Sequence, residues 1–174
     1  MKYLSSNNIV SASAIFISIS TLVVLIYQTK IMRDQQRLSV MPYISLNSQN
    51  SGTPNYQIIL KNDGIGPAFV ESVNIVYQEK DFQMDLASFL LENVPEFDSL
   101  DNIFFSNIFV GQLIPAGLSI PVLEVDNSQS DSNKLLNLLG RLSNEGLDFE
   151  LVYRSIYDEK WLVNGQNPSP RRVD

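Results

Sequence analysis

The feature that most constrains this chain is a long run of uncharged residues near its start. No Asp, Glu, Lys or Arg occurs from Tyr3 to Thr29, and residues 9–27 read IVSASAIFISISTLVVLIY. A helix rises about 1.5 Å per residue, so an apolar stretch of this length can cross a hydrocarbon core of about 30 Å. The sequence therefore predicts a transmembrane helix over residues 9–29, preceded by a short N-terminal tail over residues 1–8.

A cleaved signal peptide is the alternative explanation for such a run. Its apolar region is typically about 7–15 residues long and ends at a cleavage site of small residues. Here the apolar run ends in Gln28, Thr29 and Lys30, whereas the small residues Ser-Ala-Ser-Ala lie at its other end, over residues 11–14. The pattern favours a retained anchor.

Basic residues flank the run unequally, and this asymmetry predicts an orientation. Only Lys2 precedes the run, whereas three basic residues follow it closely, at Lys30, Arg33 and Arg37. Positive charge accumulates on the cytoplasmic side of membrane helices, and basic groups there contact anionic head groups. We expect a single-pass protein of the inner membrane with its C-terminal domain in the cytoplasm. Residues 30–41 should continue as a juxtamembrane helical spacer until Pro42 stops it.

Small and hydroxyl side chains recur within the run at helical spacings of three and four, at Ser11, Ala14, Ser18 and Thr21. Such a stripe lets a second helix approach closely and makes these residues candidates for helix–helix contact in a homo-oligomer. The alternative is that the hydroxyls bond to carbonyls of their own helix and have no further role.

Composition excludes several classes of function. The chain has no Cys and no His, which removes disulfides, thiolate metal sites and any mechanism that needs a Cys nucleophile or an imidazole base. Residues 1–40 carry four basic groups and one acid, whereas the remainder carries eight basic groups and eighteen acids. Lys and Arg contacts to phosphates dominate nucleic-acid affinity, so we expect no nucleic-acid partner for so acidic a domain.

From Pro42 onward, apolar residues alternate with polar ones, which is typical of strands with one wet face. Five segments have this pattern: PYISL, YQIILKN, AFVESVNIVYQ, LSIPVLEV and LDFELVYRSIY. Two short helices interrupt them, over residues 82–93 and 132–144, with Gly146 closing the second. The fold class predicted is mainly β: an antiparallel β-sandwich over residues 42–164 with two helical insertions. Residues 165–174, with two Pro and paired Arg, should form a flexible tail.

A turn between two predicted strands has the sequence Asn-Asp-Gly-Ile-Gly-Pro-Ala, over residues 62–68. Gly64 and Gly66 can adopt positive φ, the Asn62 side chain can bond the turn backbone, and Pro67 fixes φ as the next strand begins. GxG followed by a strand is not a dinucleotide fingerprint, which requires GxGxxG opening a helix. We therefore interpret the motif as structural.

The same residues carry a family resemblance. The chain resembles small, mostly uncharacterised bacterial single-pass membrane proteins with a C-terminal immunoglobulin-like sandwich. The shared features are an apolar helix, a spacer like QTKIMRDQQ, an opening like MPYISL, this turn and a late VYRSIYDEKW strand. The resemblance covers about residues 20–163, and the two inserted helices depart from it. It implies a fold and an anchor, but no activity.

Candidate chemistry is sparse. The densest carboxylate cluster, Glu92, Glu96, Asp98 and Asp101, lacks the spacing of a calcium loop, so we interpret it as a solvated acidic loop. Three aromatic residues spaced by four, Tyr153, Tyr157 and Trp161, should share one strand face and pack in the core; a stacking platform is the alternative. We assign no catalytic residue, metal or cofactor.

Two hypotheses of function follow. The first is a non-enzymatic interaction or sensing module, tethered to the bilayer, that binds another protein. The second is an oligomerising membrane effector of bacterial stress or phage defence, which perturbs the membrane when its β domain receives a signal. For a phosphorylated nucleotide as that signal, the scarce cations Lys61, Arg154 and Lys160 would have to converge. A membrane-bound hydrolase is a third, weaker possibility.

Overall fold

The computed structural model describes residues 6–167 and 169–173. The chain divides into two compact units, residues 1–39 and residues 40–174. Most of the predicted N-terminal tail, residues 1–5, lies outside the described residues.

The first unit is one continuous helix, α1 (Ser6–Leu38), with a mean hydropathy of 2.5 over its most apolar window and none of that window buried. It is long and apolar enough to cross a membrane, as a span or as a signal sequence. The predicted span and spacer are therefore parts of a single helix. This helix ends at Leu38, three residues before the predicted end at residue 41, and Pro42 disfavours helical φ/ψ at Met41.

The second unit is mainly β, and its elements follow one another in short segments. Its strands are β1 (Ile44–Gln49), β2 (Gln57–Asn62), β3 (Ala68–Tyr77), β4 (Lys80–Phe82), β5 (Ile103–Phe105), β6 (Leu113–Ile114), β7 (Ser119–Val125), β8 (Asp148–Arg154), β9 (Lys160–Asn164) and β10 (Arg171–Val173). The helices of this unit are α2 (Leu86–Asn93), a 3-10 turn (Pro95–Ser99) and α3 (Gln129–Asn144). All five predicted strands are present.

The strands form two antiparallel sheets in a sandwich-like arrangement. One sheet has the order β1-β2-β7-β5, and the other has the order β10-β9-β8-β3-β4, with β6 pairing beside β3. Buried residues of both sheets and of α2 and α3 belong to one apolar core. The predicted mainly-β, antiparallel architecture is confirmed.

Alternation along the central strands matches the prediction in β8 and departs from it in β3. Phe149, Leu151 and Tyr153 are buried in β8 as expected. In β3 strict alternation back from the buried Val73 and Ile75 would place Phe69 in the core, but the buried side chain is Val70, because a bulge between Val70 and Ser72 shifts the register against β8. An extra residue in one strand reverses which side chains face inward on either side of it.

Both inserted helices begin at side-chain caps that the periodicity does not reveal. α2 starts four residues later than predicted, because Asp85 Oδ1 accepts a hydrogen bond from Ser88 N at 2.7 Å and caps the first turn. Phe82, the first residue of the predicted helix, belongs to β4 instead. Its ring packs edge-to-face on that of Phe89 in α2, with the ring centroids 5.1 Å apart. α3 starts at Gln129, three residues earlier than predicted, because the Ser128 side chain caps its first turn. Gly146, at φ 92°, closes this helix as predicted.

The segment predicted to be a flexible tail contains β10, which pairs antiparallel with β9 over residues 160–162. This part of the prediction is wrong. Three residues are too few for a periodic signal, and the outer edge of β9 supplies the backbone partners.

Candidate functional site

The predicted turn lies where the β domain begins, and it is built around one buried amide. Asn62 is the last residue of β2 and is fully buried. Its Oδ1 accepts hydrogen bonds from the backbone N–H groups of Tyr43 at 3.1 Å and Gly64 at 3.0 Å. Its Nδ2 donates to the carbonyl oxygens of Gly66 at 2.9 Å and Ile114 at 3.1 Å. The side chain uses two acceptor positions and both donors, so the predicted bonding of Asn62 to the turn backbone is confirmed.

The two turn glycines permit a close approach between backbones, not the positive φ that we predicted. Among the glycines, positive φ occurs at Gly52, Gly111, Gly117 and Gly146. A Cβ added to Gly66 would overlap the carbonyl oxygen of Val40, and one added to Gly64 would overlap backbone atoms of Met41 and Tyr43. The predicted reason is therefore wrong, and the requirement for glycine comes from the segment that passes against the turn.

Backbone hydrogen bonds also join residues 41–43 to the turn. Asp63 N donates to the carbonyl oxygen of Tyr43 at 2.8 Å, and Ile65 N donates to that of Met41 at 3.2 Å. Pro67 has no N–H to satisfy and precedes the first residue of β3, as predicted. We term residues 40–43 and 62–67, with these bonds, the Asn62 clamp.

Tyr153 joins the Asn62 clamp to the opposite sheet. Its hydroxyl accepts a hydrogen bond from Ile44 N at 3.3 Å and donates to the carbonyl oxygen of Pro42 at 3.5 Å. Burial of the phenol raises the pKa of Tyr153 to about 12. The centre of the clamp, Asn62 and Gly66, is therefore buried and has a structural role, whereas Tyr43, Asp63 and Ile65 at its rim are exposed.

The predicted helix-contact residues Ser11, Ala14, Ser18 and Thr21 are all exposed on α1. Ser18 Oγ donates to the carbonyl oxygen of Ala14, and Thr21 Oγ1 donates to that of Ile17, both at 2.8 Å. This is the geometry of the alternative in which hydroxyls bond within their own helix. The contact between helices stays a prediction.

The three basic residues proposed to contact head groups lie in the last third of α1. Lys30, Arg33 and Arg37 are exposed and follow one another at spacings of three and four, so they share one side of the helix. Their contact with lipid stays a prediction.

The three late aromatic residues do not share one face. Tyr153 is buried in the core as predicted, and Trp161 lies opposite it on β9 and is half-buried. Tyr157 is exposed in the turn between β8 and β9, because β8 ends at Arg154 and the period of two ends with it. The prediction of core packing is right for Tyr153, right in part for Trp161, which packs against the core, and wrong for Tyr157.

The scarce cations are each engaged by carboxylates. Lys61 pairs with Asp63, and both Arg154 and Lys160 pair with Glu71, at 2.8 and 3.3 Å. Arg154 and Lys160 are cross-strand neighbours, whereas Lys61 lies on the other sheet. Because acids neutralise all three cations and they do not converge, they do not form an anion site.

The carboxylate cluster is dispersed over exposed positions. Its four members, Glu92, Glu96, Asp98 and Asp101, are all exposed, and Glu96 pairs with Arg141 at 2.9 Å. Across the residues that the structure describes, no group of three or more Asp or Glu side chains could hold a metal ion. All four side chains are solvated as predicted, but Glu92 lies in α2 and Glu96 and Asp98 lie in the 3-10 turn, so they do not form one loop.

Sequence reasoning missed one exposed apolar feature. β5 is the last strand of its sheet, and its Phe104 and Phe105 are exposed. The segment IFFSNIF has too few alternations to predict a strand, and its one distinguishing signal is three Phe among seven residues.

Comparison with known protein families, curated sequences and solved structures finds no match to this chain. The resemblance to small single-pass sandwich proteins therefore stays a prediction.

Proposed function

We propose that this protein is a single-pass inner-membrane protein whose cytoplasmic β domain binds another protein without catalysing a reaction. The observation that carries the proposal is the contrast within the chain: α1 exposes every apolar side chain in its most apolar window, and an acidic, well-packed β domain follows it. An exposed apolar helix of this length needs an apolar environment, which a bilayer supplies.

An immunoglobulin-like fold for the β domain is part of the proposal. In immunoglobulin sandwiches one sheet has the strand order A-B-E-D and the other has C-F-G, with C′ added beside C in some domains. The orders β1-β2-β7-β5 and β4-β3-β8-β9 correspond to A-B-E-D and C′-C-F-G. On this correspondence α2 lies between C′ and D, α3 lies between E and F, and β10 is an addition beside G. Domains of this kind commonly present loops and strand edges to partners.

A binding role is favoured over catalysis by the arrangement of titratable groups. A depression of about 320 Å³ in the β domain is lined by one titratable side chain, Asp148. Asp148 Oδ1 accepts hydrogen bonds from the backbone N–H groups of Phe149 and Gly165 at 2.9 and 2.8 Å, so its carboxylate is used structurally. Carboxylate catalysis needs a second group facing the first across the substrate.

The topology test uses the full chain with a reporter fused after residue 174. Alkaline phosphatase is active outside the cytoplasm, whereas a fluorescent protein that matures in the cytoplasm reports the opposite side. We expect fluorescence and no phosphatase activity, with the protein in the membrane fraction after an alkaline wash. Phosphatase activity, or release by the wash, would overturn the proposal.

The binding test uses cross-linking in intact cells that express the full-length chain, followed by mass measurement of the purified adduct. A single partner at fixed stoichiometry is the expected result. Adducts made only of this chain, together with loss of membrane integrity on expression, would instead support the oligomerising effector.

A further inference from the structure

We propose that β5 is a docking edge to which an extended, basic segment of a partner protein adds as a further strand. The inference rests on the proposed binding function and names both its surface and the chemistry of the partner. It is carried by three observations: an unoccupied strand edge, exposed Phe side chains on that edge, and unpaired acids around it.

Backbone geometry leaves hydrogen-bonding groups of β5 directed away from its sheet. β5 pairs antiparallel with β7 in a register that sets Ile103 opposite Val125 and Phe105 opposite Leu123. Ser106 N donates to the carbonyl oxygen of Val122, and Asp126 N donates to that of Asn102. These bonds identify 106–122 and 102–126 as hydrogen-bonded cross-strand pairs. Hydrogen-bonded pairs alternate along an antiparallel ladder, so the N–H and C=O groups of Ile103 and Phe105 point to the outer side. No other strand in the described part of the chain lies on that side.

Among the described strands, three other edges, those of β10, β4 and β1, are protected in ways that β5 is not, and β6 presents an edge of only two residues. β10 covers β9 and presents two arginines, β4 carries exposed Lys80 and Asp81, and the outer part of β1 is polar. Charge and short covering strands are ordinary means of preventing unwanted pairing at sheet edges. β5 has neither Lys nor Pro, and its Phe104 and Phe105 are 61% and 42% exposed.

Charge around β5 selects the partner. Asp98 and Asp101 precede the strand, Glu124 lies opposite Phe104, and Asp126 lies opposite Asn102. Among the described residues no Lys or Arg lies within ion-pair distance of these four acids, whereas the nearby Lys134 and Arg141 are held by Asp131 and Glu96. A strand that alternates apolar and basic residues would pack on the Phe side chains and neutralise the acids. A second copy of this domain would instead bring like charges together.

The direct test measures fluorescence anisotropy of a labelled peptide of alternating Val and Lys added to the full-length protein in detergent. A Val and Glu peptide and a Val and Lys peptide with N-methylated backbone amides serve as comparisons. We expect binding of the first peptide only, because N-methylation removes the strand donors while keeping the charge. Equal binding of the N-methylated peptide would reduce the interaction to bulk charge and overturn strand addition.

A matched pair of variants tests the location. Phe104→Lys places a repelling charge on β5, whereas Phe109→Lys changes a side chain that is also 61% exposed but lies outside the strand. We expect Phe104→Lys to weaken peptide binding by at least about tenfold and Phe109→Lys to change it by less than about twofold. Equal effects would overturn the assignment to β5, as would a wild-type protein that self-associates until Phe104→Lys makes it monomeric.

Failure here is distinguishable from failure of the proposed function. If the stoichiometric cross-link in cells persists with Phe104→Lys, the chain binds a partner elsewhere and only the β5 inference is wrong. If the wild-type protein forms no such cross-link, the binding function itself is wrong.

Discussion

The two units of the chain use the same apolar residue types under opposite conditions. In α1, Phe16 is 72% exposed and its neighbours are similar, whereas in the β domain Leu60 and Ile75 are completely buried. The difference lies in the pattern: an unbroken apolar run makes a helix that is apolar on all sides, and alternation makes a strand with one apolar face. One unit therefore requires an apolar environment, and the other provides its own.

Polar groups differ between the units in the same way. Ser18 in α1 bonds a carbonyl four residues away, whereas the Asn62 side chain bonds groups from three different segments of the β domain. A local bond can be lost without consequence for the rest of the helix. Loss of a bond that connects distant segments should affect the whole domain.

Gly66→Ala should have the largest effect and should be confined to the β domain. The new Cβ would overlap the carbonyl oxygen of Val40, and a backbone atom cannot move aside as a side-chain end can. We expect a loss of at least about 4 kcal/mol in the free energy of unfolding, which is exceptional for one methyl group. This loss is measured by denaturant unfolding of the detergent-solubilised chain, followed by the fluorescence of Trp161, the one tryptophan in the sequence.

The control for that variant is Gly140→Ala in α3, where an added Cβ meets nothing within 4 Å. Alanine is the better helix former, so this variant should gain about 0.5–1 kcal/mol. A small effect for Gly66→Ala would mean that the Asn62 clamp is looser than described.

Asn62→Ala should follow in size, with a loss of about 3 kcal/mol, because it leaves buried donors and acceptors of several segments without partners. Asn62→Asp retains the shape but replaces the Nδ2 donor to the Gly66 and Ile114 carbonyls, and should lose a similar amount. Ser18→Ala in α1 is the comparison and should leave helicity and membrane integration unchanged. Thermal unfolding by circular dichroism separates the two units. Equal losses of stability in Asn62→Ala and Ser18→Ala would contradict the difference between long-range and local hydrogen bonds in the two units.

These features differ in how far the sequence could reveal them. The helix, the central strands and the bonding of Asn62 could be predicted, because apolar periodicity and turn chemistry are local. The approach of Val40 to Gly66 and the bond from Tyr153 to Pro42 could not, because residues far apart in sequence meet there only after folding. β4, β5, β6 and β10 escaped prediction because two or three residues give no period, and the five residues of β9 were not among the predicted strands.

Tyr153→Phe should have a smaller effect, about 1 kcal/mol below pH 9, from the loss of a hydroxyl bonded to the first sheet. The pKa of Tyr153 is raised from 10.0 to about 12 by burial. Since the unfolded chain ionises first, the stability linked to this phenol is fully present below pH 10 and is lost as pH rises toward 12. The fall of melting temperature in alkali should therefore be shallower in the variant, and an identical fall would contradict burial of the phenol.

Asp131→Asn should give the smallest change, a loss of stability at neutral pH that disappears in acid. Hydrogen bonds from Asn102 and Ser128, together with Lys134, lower the pKa of Asp131 from 3.8 to about 2. Its contribution is present above its unfolded pKa and is lost as pH falls toward 2. The dependence of melting temperature on pH should be flatter in the variant than in the wild type between about pH 4 and 2. An unchanged dependence would contradict the hydrogen bonds described for Asp131.

The Asn62 clamp also affects the rate at which Asn62 deamidates. Asparagine deamidates when the backbone nitrogen of the following residue attacks its side-chain carbonyl carbon and releases ammonia. Here that nitrogen belongs to Asp63, whose N–H is bonded to the carbonyl oxygen of Tyr43 at 2.8 Å, and the amide itself is held by four hydrogen bonds. The geometry that organises the junction therefore also protects it from slow chemical damage. In stored protein, exposed asparagines such as Asn50 and Asn127 should deamidate long before Asn62 does.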